Sequence, residues 1–264
     1  MKIIISPAKK MNMDADFLPS HNAPVYLEKT QKLKEYLQSL TYEELKKLLC
    51  CNDEIARLNY ERYQKMDLCG YTNPAILSYD GIQYKYMAPQ VFEYNYFDYI
   101  ENHLRILSGF YGILKPFDGV VPYRLEMQAK LKTAFCHNIY DYWKDYIYRD
   151  LTQNDTTILN LASAEYSKTV EKYLTADVNY VTCRFGEVIG GKVIEKGVYV
   201  KMARGEMVRF MAENAIEDLN EIKEFNRLGF VYKDELSDNN TFVFVKIMKV
   251  KLCLKTTLSE MDWN

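Results

Sequence analysis

The chain is poor in the residues that build familiar catalytic and metal centres. It has three histidines, and its six cysteines, at 50, 51, 69, 136, 183 and 253, form no Cys-x-x-Cys pair. That spacing argues against a structural zinc site. Six cysteines across 264 residues are also too sparse for a disulfide scaffold, so a reducing, cytoplasmic setting is expected. No apolar run reaches membrane-spanning length, and the opening Met-Lys-Ile-Ile-Ile-Ser is too short for a secretory leader. Walker loops, Gly-x-Gly-x-x-Gly turns, internal repeats and low-complexity linkers are all missing. So is a strong excess of either charge: the net charge is −2. A nucleic-acid site would therefore be a local basic patch on a near-neutral body.

What is present is apolar and aromatic. Hydrophobic residues make up 48% of the chain and tyrosine alone contributes 23 positions, enough for a substantial core. Residues 2–6 read as a buried strand. Ser6-Pro7 could open a helical turn after it. Helices are expected over 26–40, from a Thr41–Glu44 capping box to about Cys50, and from an Asp53 cap to about Met66. Residues 75–81 read as a strand. Residues 97–114 carry helical spacing broken by glycine. A helix is expected over 138–151, a strand over 156–163 feeding a Ser163-capped helix, and strands with Gly turns over 179–202. A helix from 203 and a hairpin over 229–247 with an Asp-Asn-Asn turn complete the pass. The Lys-rich stretch 246–255 reads as an edge strand. The order is irregular, which points to one compact mixed α/β (α+β) domain, a mixed sheet surrounded by helices. It is expected over 1–247, with 248–264 as an extension of unknown role.

Two strand ends run into serine-capped turns, at Ser6 and at Ser163. A helix start offers free N–H groups to a phosphate, although simple capping uses the same pattern. Lys9 and Lys10 flank the first. In "LSGFYGILKPFDGVVPYRLEM" (107–127), Ser108, Gly109 and Gly112 could form a hairpin presenting N–H groups to a phosphate; a kinked core helix is the other reading. Arg105, Lys115, Arg124, Lys168, Lys201, Arg204 and Arg209 each lie near a Gly, Pro or Ser break. If the fold gathers them they would line a groove for a polyanion. Asp118, Glu126 and Glu165 are the candidate acid–base carboxylates, while His103 reads as a hydrogen-bonded, half-buried side chain.

The motifs Ile5-Ser6-Pro7-Ala8-Lys9, "HLRILSGFYGILKPFD…PYRLEM" (103–127), "IYDYW" (139–143), "NLASAEYSK" (160–168), "KMARGEMVRF" (201–210) and "FNRLGFVYKDELSDNNTFVF" (225–244), in this order, resemble the YaaA family of peroxide-stress-resistance proteins. The resemblance implies a bacterial cytoplasmic protein that limits iron-driven (Fenton) damage. It also implies a distinct mixed α/β fold with a helix-hairpin-helix-like element, and double-stranded DNA bound in a basic cleft. Lys115 stands where the family usually has Arg. No cofactor, no metal and no membrane partner are expected; the chain is expected to be a monomer, and a small-molecule ligand is left open. The alternative to a DNA-binding protective protein is an enzyme acting on a nucleic-acid or phosphorylated substrate through Asp118, Glu126 or Glu165.

Overall fold

The computed structural model describes residues 1–13, 18–70 and 72–247. The tail 248–264, and with it most of the edge strand expected over 246–255, lies outside the described residues.

The chain starts with strand β1 (Lys2–Ile5), whose three isoleucines are fully buried. Continuous β-branched residues suit a strand covered on both faces. Helices α1 (Leu27–Ser39), α2 (Tyr42–Leu49) and α3 (Asp53–Lys65) follow. Both hydrogen bonds of the Thr41–Glu44 capping box form, but α3 is capped by Asn52, whose side chain accepts from the Ile55 N–H, and not by Asp53. Residues expected as a strand over 75–81 make one helical turn, Ala75–Ser78, before the short strand Tyr79–Asp80 pairs with Lys10–Met11. Helix α4 (Ile82–Met87) and helix α5 (Tyr94–His103) lead to strands β2 (Leu104–Ser108) and β3 (Gly112–Leu114).

These two strands overturn the helix expected across 97–114. The chain leaves the helix at His103 and folds as an antiparallel hairpin, with Ser108 opposite Gly112. Leu104, Ile106, Leu107, Ile113 and Leu114 are all essentially inaccessible. With both faces covered there is no polar stripe, so apolar spacing alone cannot separate strand from helix. The helix-hairpin-helix-like element is thus a β-hairpin here.

The expected helix over 138–151 divides into α6 (Ile139–Trp143) and α7 (Tyr146–Thr152), separated by Lys144 in the left-handed region at φ 46°. Strand β4 (Thr157–Leu161) runs into α8 (Ala164–Glu171). Strand β5 (Asn179–Ile189) and strand β6 (Lys192–Ile194) form a hairpin around Gly190-Gly191, both at positive φ. A two-residue loop of type I′ requires φ above zero at both positions. Helix α9 (Gly197–Glu213) begins six residues earlier than expected, taking in "GVYVKM", which reads as strand because of its β-branched residues. Strands β7 (Phe230–Tyr232) and β8 (Thr241–Lys246) form the expected hairpin.

The main sheet has the order β7-β8-β5-β4-β1-β2-β3, with β6 pairing off β5. The inner strands β8, β5, β4, β1 and β2 are parallel; the outer partners β7, β6 and β3 are antiparallel. From β1 the chain moves outward to β2 and β3, then returns to the other flank at β4 and continues to β5 and β8. The connections therefore reverse direction between β1 and β4. In parallel α/β sheets a crevice opens beyond the carboxyl ends of the strands at such a point. No helix among the described residues is long and apolar enough to cross a membrane.

Candidate functional site

The crevice between β1 and β4 is built on two serines. Ser6 follows β1, and Ser163 follows β4. The Ser163 N–H donates to Ser6 Oγ at 2.9 Å, and the Ser6 hydroxyl donates to Ser163 Oγ at 3.2 Å. The Tyr84 hydroxyl donates to the Ser6 carbonyl at 3.0 Å. No helix opens at Ser6-Pro7, because the chain continues extended into Lys10–Met11; a phosphate-binding helix start at that serine is corrected. Ser163 does precede α8, but its hydroxyl makes no capping bond to that helix.

Around this junction lies a cavity of about 390 Å³ whose lining includes Ser6, Lys9, Lys10, Asp80, Gln83, Tyr84, Tyr123, Arg124, Glu126, Ser163, Glu165, Tyr166, Lys201 and Arg204. Lys9, Lys10 and Lys201 are exposed at its mouth. Lys9 reaches Glu126 at 2.9 Å, Arg124 reaches the other Glu126 oxygen at 3.0 Å, and Lys10 reaches Asp80 at 3.2 Å. Glu126 is thus shared by two cations. Glu165, on the first turn of α8, has no such pairing. Burial pushes its carboxyl above the usual value and the nearby Glu126 adds to this, against an N–H bond from Gln128 at 3.3 Å. Burial also draws the Arg204 guanidinium below its ordinary value.

Three donors on lining residues have no acceptor among the described residues: Gln83 Nε2, Arg124 Nε and Arg204 Nε. Gln83 is 6% exposed. Buried N–H groups are rarely left unpaired, since each costs about 1–3 kcal/mol. Nothing in "GIQYKYM" (81–87) signals this role in the sequence; an uncharged Gln in a short helix is brought there only by the packing of α4 on α9. That packing depends on Gly205, where an added Cβ would meet the Gln83 carbonyl oxygen at 2.1 Å.

The segment carrying Arg124 and Glu126 is pinned from several sides. The Tyr63 hydroxyl donates to the Arg124 carbonyl at 2.9 Å. Tyr123 hydrogen-bonds Tyr79 at 2.8 Å and Ser108 at 2.6 Å. Gly109 packs so closely on the segment that a Cβ would lie 2.4 Å from the Leu125 carbonyl oxygen.

The remaining expected site residues lie elsewhere. Ser108, Gly109 and Gly112 are buried in the core. Ser108 Oγ accepts from the Phe110 N–H at 3.1 Å and the Tyr111 N–H at 2.9 Å, so the hairpin has already spent these donors. A phosphate grip at these residues is therefore corrected. Arg105, Lys115 and Asp118 line a second cavity, of about 370 Å³, with Lys2 and Asp150. Burial there raises Asp118 to about 7, although it accepts from the Lys115 N–H at 2.8 Å. Lys168 is exposed beside Tyr140 and Lys172, away from the crevice, and Arg209 pairs with Glu213 at 2.7 Å. His103 bonds the Met1 carbonyl at 2.9 Å and Glu217 at 3.0 Å, a structural arrangement as expected. Among the described residues no cluster of three His, Cys, Asp or Glu side chains could hold a metal ion.

Comparison with known proteins gives a match over residues 1–236 to the family described as peroxide stress protein YaaA. A UPF0246 protein of Desulfitobacterium hafniense is 81% identical over 251 residues, covering 95% of this chain and 100% of its own. A UPF0246 protein of Agathobacter rectalis is 53% identical, covering 92% of this chain and 98% of its own. One from Lactiplantibacillus plantarum is 50% identical, covering 93% and 99%.

Proposed function

Because this chain belongs to the family of the peroxide stress protein YaaA, we propose that it serves the peroxide response in the cytoplasm by binding double-stranded DNA at the mouth of this cleft and limiting iron-driven damage to it. The observation that carries this reading is that Lys9, Lys10 and Lys201 stand around one opening, with Arg124 and Arg204 behind them. Exposed ammonium groups suit contacts to backbone phosphates, which are sequence-independent and weaken as salt removes the gain from counterion release.

Fluorescence anisotropy with a labelled duplex across a salt series tests it. The Lys9→Ala/Lys10→Ala/Lys201→Ala variant should bind more weakly, and its log–log salt slope should be shallower by roughly 0.9 for each phosphate no longer neutralised. Equal affinity and slope in a folded triple variant would end the duplex reading.

A second reading, an enzyme on a nucleic-acid or phosphorylated substrate, is favoured by Glu126 and Glu165, two of the three carboxylates that line the cleft. Cations hold Glu126, while burial raises Glu165. A carboxyl raised by burial suits general acid–base work beside a substrate. Turnover of a DNA or nucleotide panel that Glu165→Gln abolishes is the expected result under it; a panel with no turnover rejects it.

A further inference from the structure

Lys9, Lys10 and Lys201 are exposed at the mouth of the cleft, and the buried part of its lining forms a chamber behind them. That chamber has its own chemistry. Gln83, Arg124 and Arg204 line the same cavity, and each carries a buried side-chain N–H with no acceptor among the described residues. Three such groups at one place exceed the occasional unpaired donor of a native interior. Glu126 satisfies only Arg124 Nη2, leaving Nε free. What fits is a compact group with several acceptor oxygens and negative charge, which is the description of a phosphate.

The rest of the lining is not built for inorganic phosphate alone. Pro7, Ala8, Ile82 and Leu125 supply apolar surface, and Tyr84 and Tyr166 contribute to the wall. A volume of about 390 Å³ falls in the range of small-molecule sites. An anion-binding anchor beside an apolar and aromatic wall suits a flat heterocycle joined to a phosphate.

We infer that the chamber is a site for one nucleoside monophosphate, either free or as the unpaired terminal nucleotide of a DNA strand, with its phosphate accepting from Gln83, Arg124 and Arg204. This deepens the reading of the same cleft as a nucleic-acid site, on whose cations it rests, but it does not need a duplex.

Isothermal titration of the full chain with deoxynucleoside monophosphates, the matching nucleosides and inorganic phosphate tests it. The monophosphates should bind saturably and be displaced by phosphate, and the nucleosides should bind at least about tenfold more weakly, as loss of charged hydrogen bonds requires. Gln83→Leu and Arg204→Met should each weaken the monophosphate by about tenfold or more. The ligand comparison needs no variant and stands if either one misfolds. Competition by a 5′-phosphorylated single strand assigns the site to a strand end; competition by mononucleotide alone assigns it to the free pool. No saturable monophosphate binding, or affinities equal in wild type and both folded variants, overturns the inference. Monophosphate binding without duplex binding keeps this site and removes the duplex reading. Salt-sensitive duplex binding without monophosphate binding does the reverse.

Discussion

The Ser163 N–H donates to Ser6 Oγ at 2.9 Å, so a side chain after the first strand closes the backbone after the fourth. The two residues are 157 apart in sequence. This bond holds the floor of the cleft at the point where the chain reverses its direction across the sheet. Ser6→Ala leaves that half-buried N–H without its partner. It should cost about 1–2 kcal/mol in urea unfolding. An unchanged midpoint would mean that water replaces the hydroxyl at no cost.

Glycines 109 and 205 are needed for close approach, not for turning. A Cβ on Gly205 would lie 2.1 Å from the Gln83 carbonyl oxygen and 2.9 Å from the Met87 nitrogen. Alanine is a better helix former than glycine by about 1 kcal/mol, yet backbone overlap outweighs it. Gly205→Ala should therefore destabilise the fold by about 2 kcal/mol, and Gly109→Ala similarly. A thermal melt that rises in either variant refutes the close approach.

Asp118 gives a pH dependence of definite sign. Its native value is about 7, above the ordinary 3.8, because burial opposes ionisation. Between about pH 4 and pH 7 the native state keeps a proton that the unfolded chain has released. Stability should fall as pH rises through that window and level off above it. At 1.36 kcal/mol per pKa unit the full penalty is on the order of 4 kcal/mol. Asp118→Asn keeps a carbonyl for the Lys115 N–H and should flatten the profile, gaining on wild type at about pH 8. Parallel urea midpoints at about pH 5 and pH 8 would show that Asp118 titrates normally.

Gln83→Leu separates stability from binding. Leucine has nearly the same shape and no N–H to strand. The free protein should melt at the same temperature or higher, by up to about 1 kcal/mol in stability. The same change should weaken monophosphate binding. A clear loss of stability would mean that the amide has a structural partner.

Local chemistry was legible where one residue decides it. The isoleucines of β1, the Thr41–Glu44 capping box and the 230–246 hairpin follow from spacing, capping and turn residues. The two serine-marked strand ends are visible as well, and they are neighbours in the fold. The 104–114 segment was not legible, because burial on both faces erases the pattern that tells strand from helix. Nor could "LSGFYGILKPFDGVVPYRLEM" disclose that Gly109 serves packing while the far end of the stretch lines the cleft. That distinction depends on Trp143, whose indole N–H donates to the Gly109 carbonyl at 2.9 Å, and on Tyr63, both distant in sequence. Gln83 was invisible for the same reason: its setting comes from α9.

The clamping of residues 123–127 by Tyr63, Tyr79, Ser108 and Gly109 has a thermodynamic meaning for recognition. Arg124 and Glu126 sit on backbone whose freedom was surrendered during folding. A ligand meeting them has little chain left to order, so its association should carry a small entropic penalty and a fast approach, like a key entering a lock already cut.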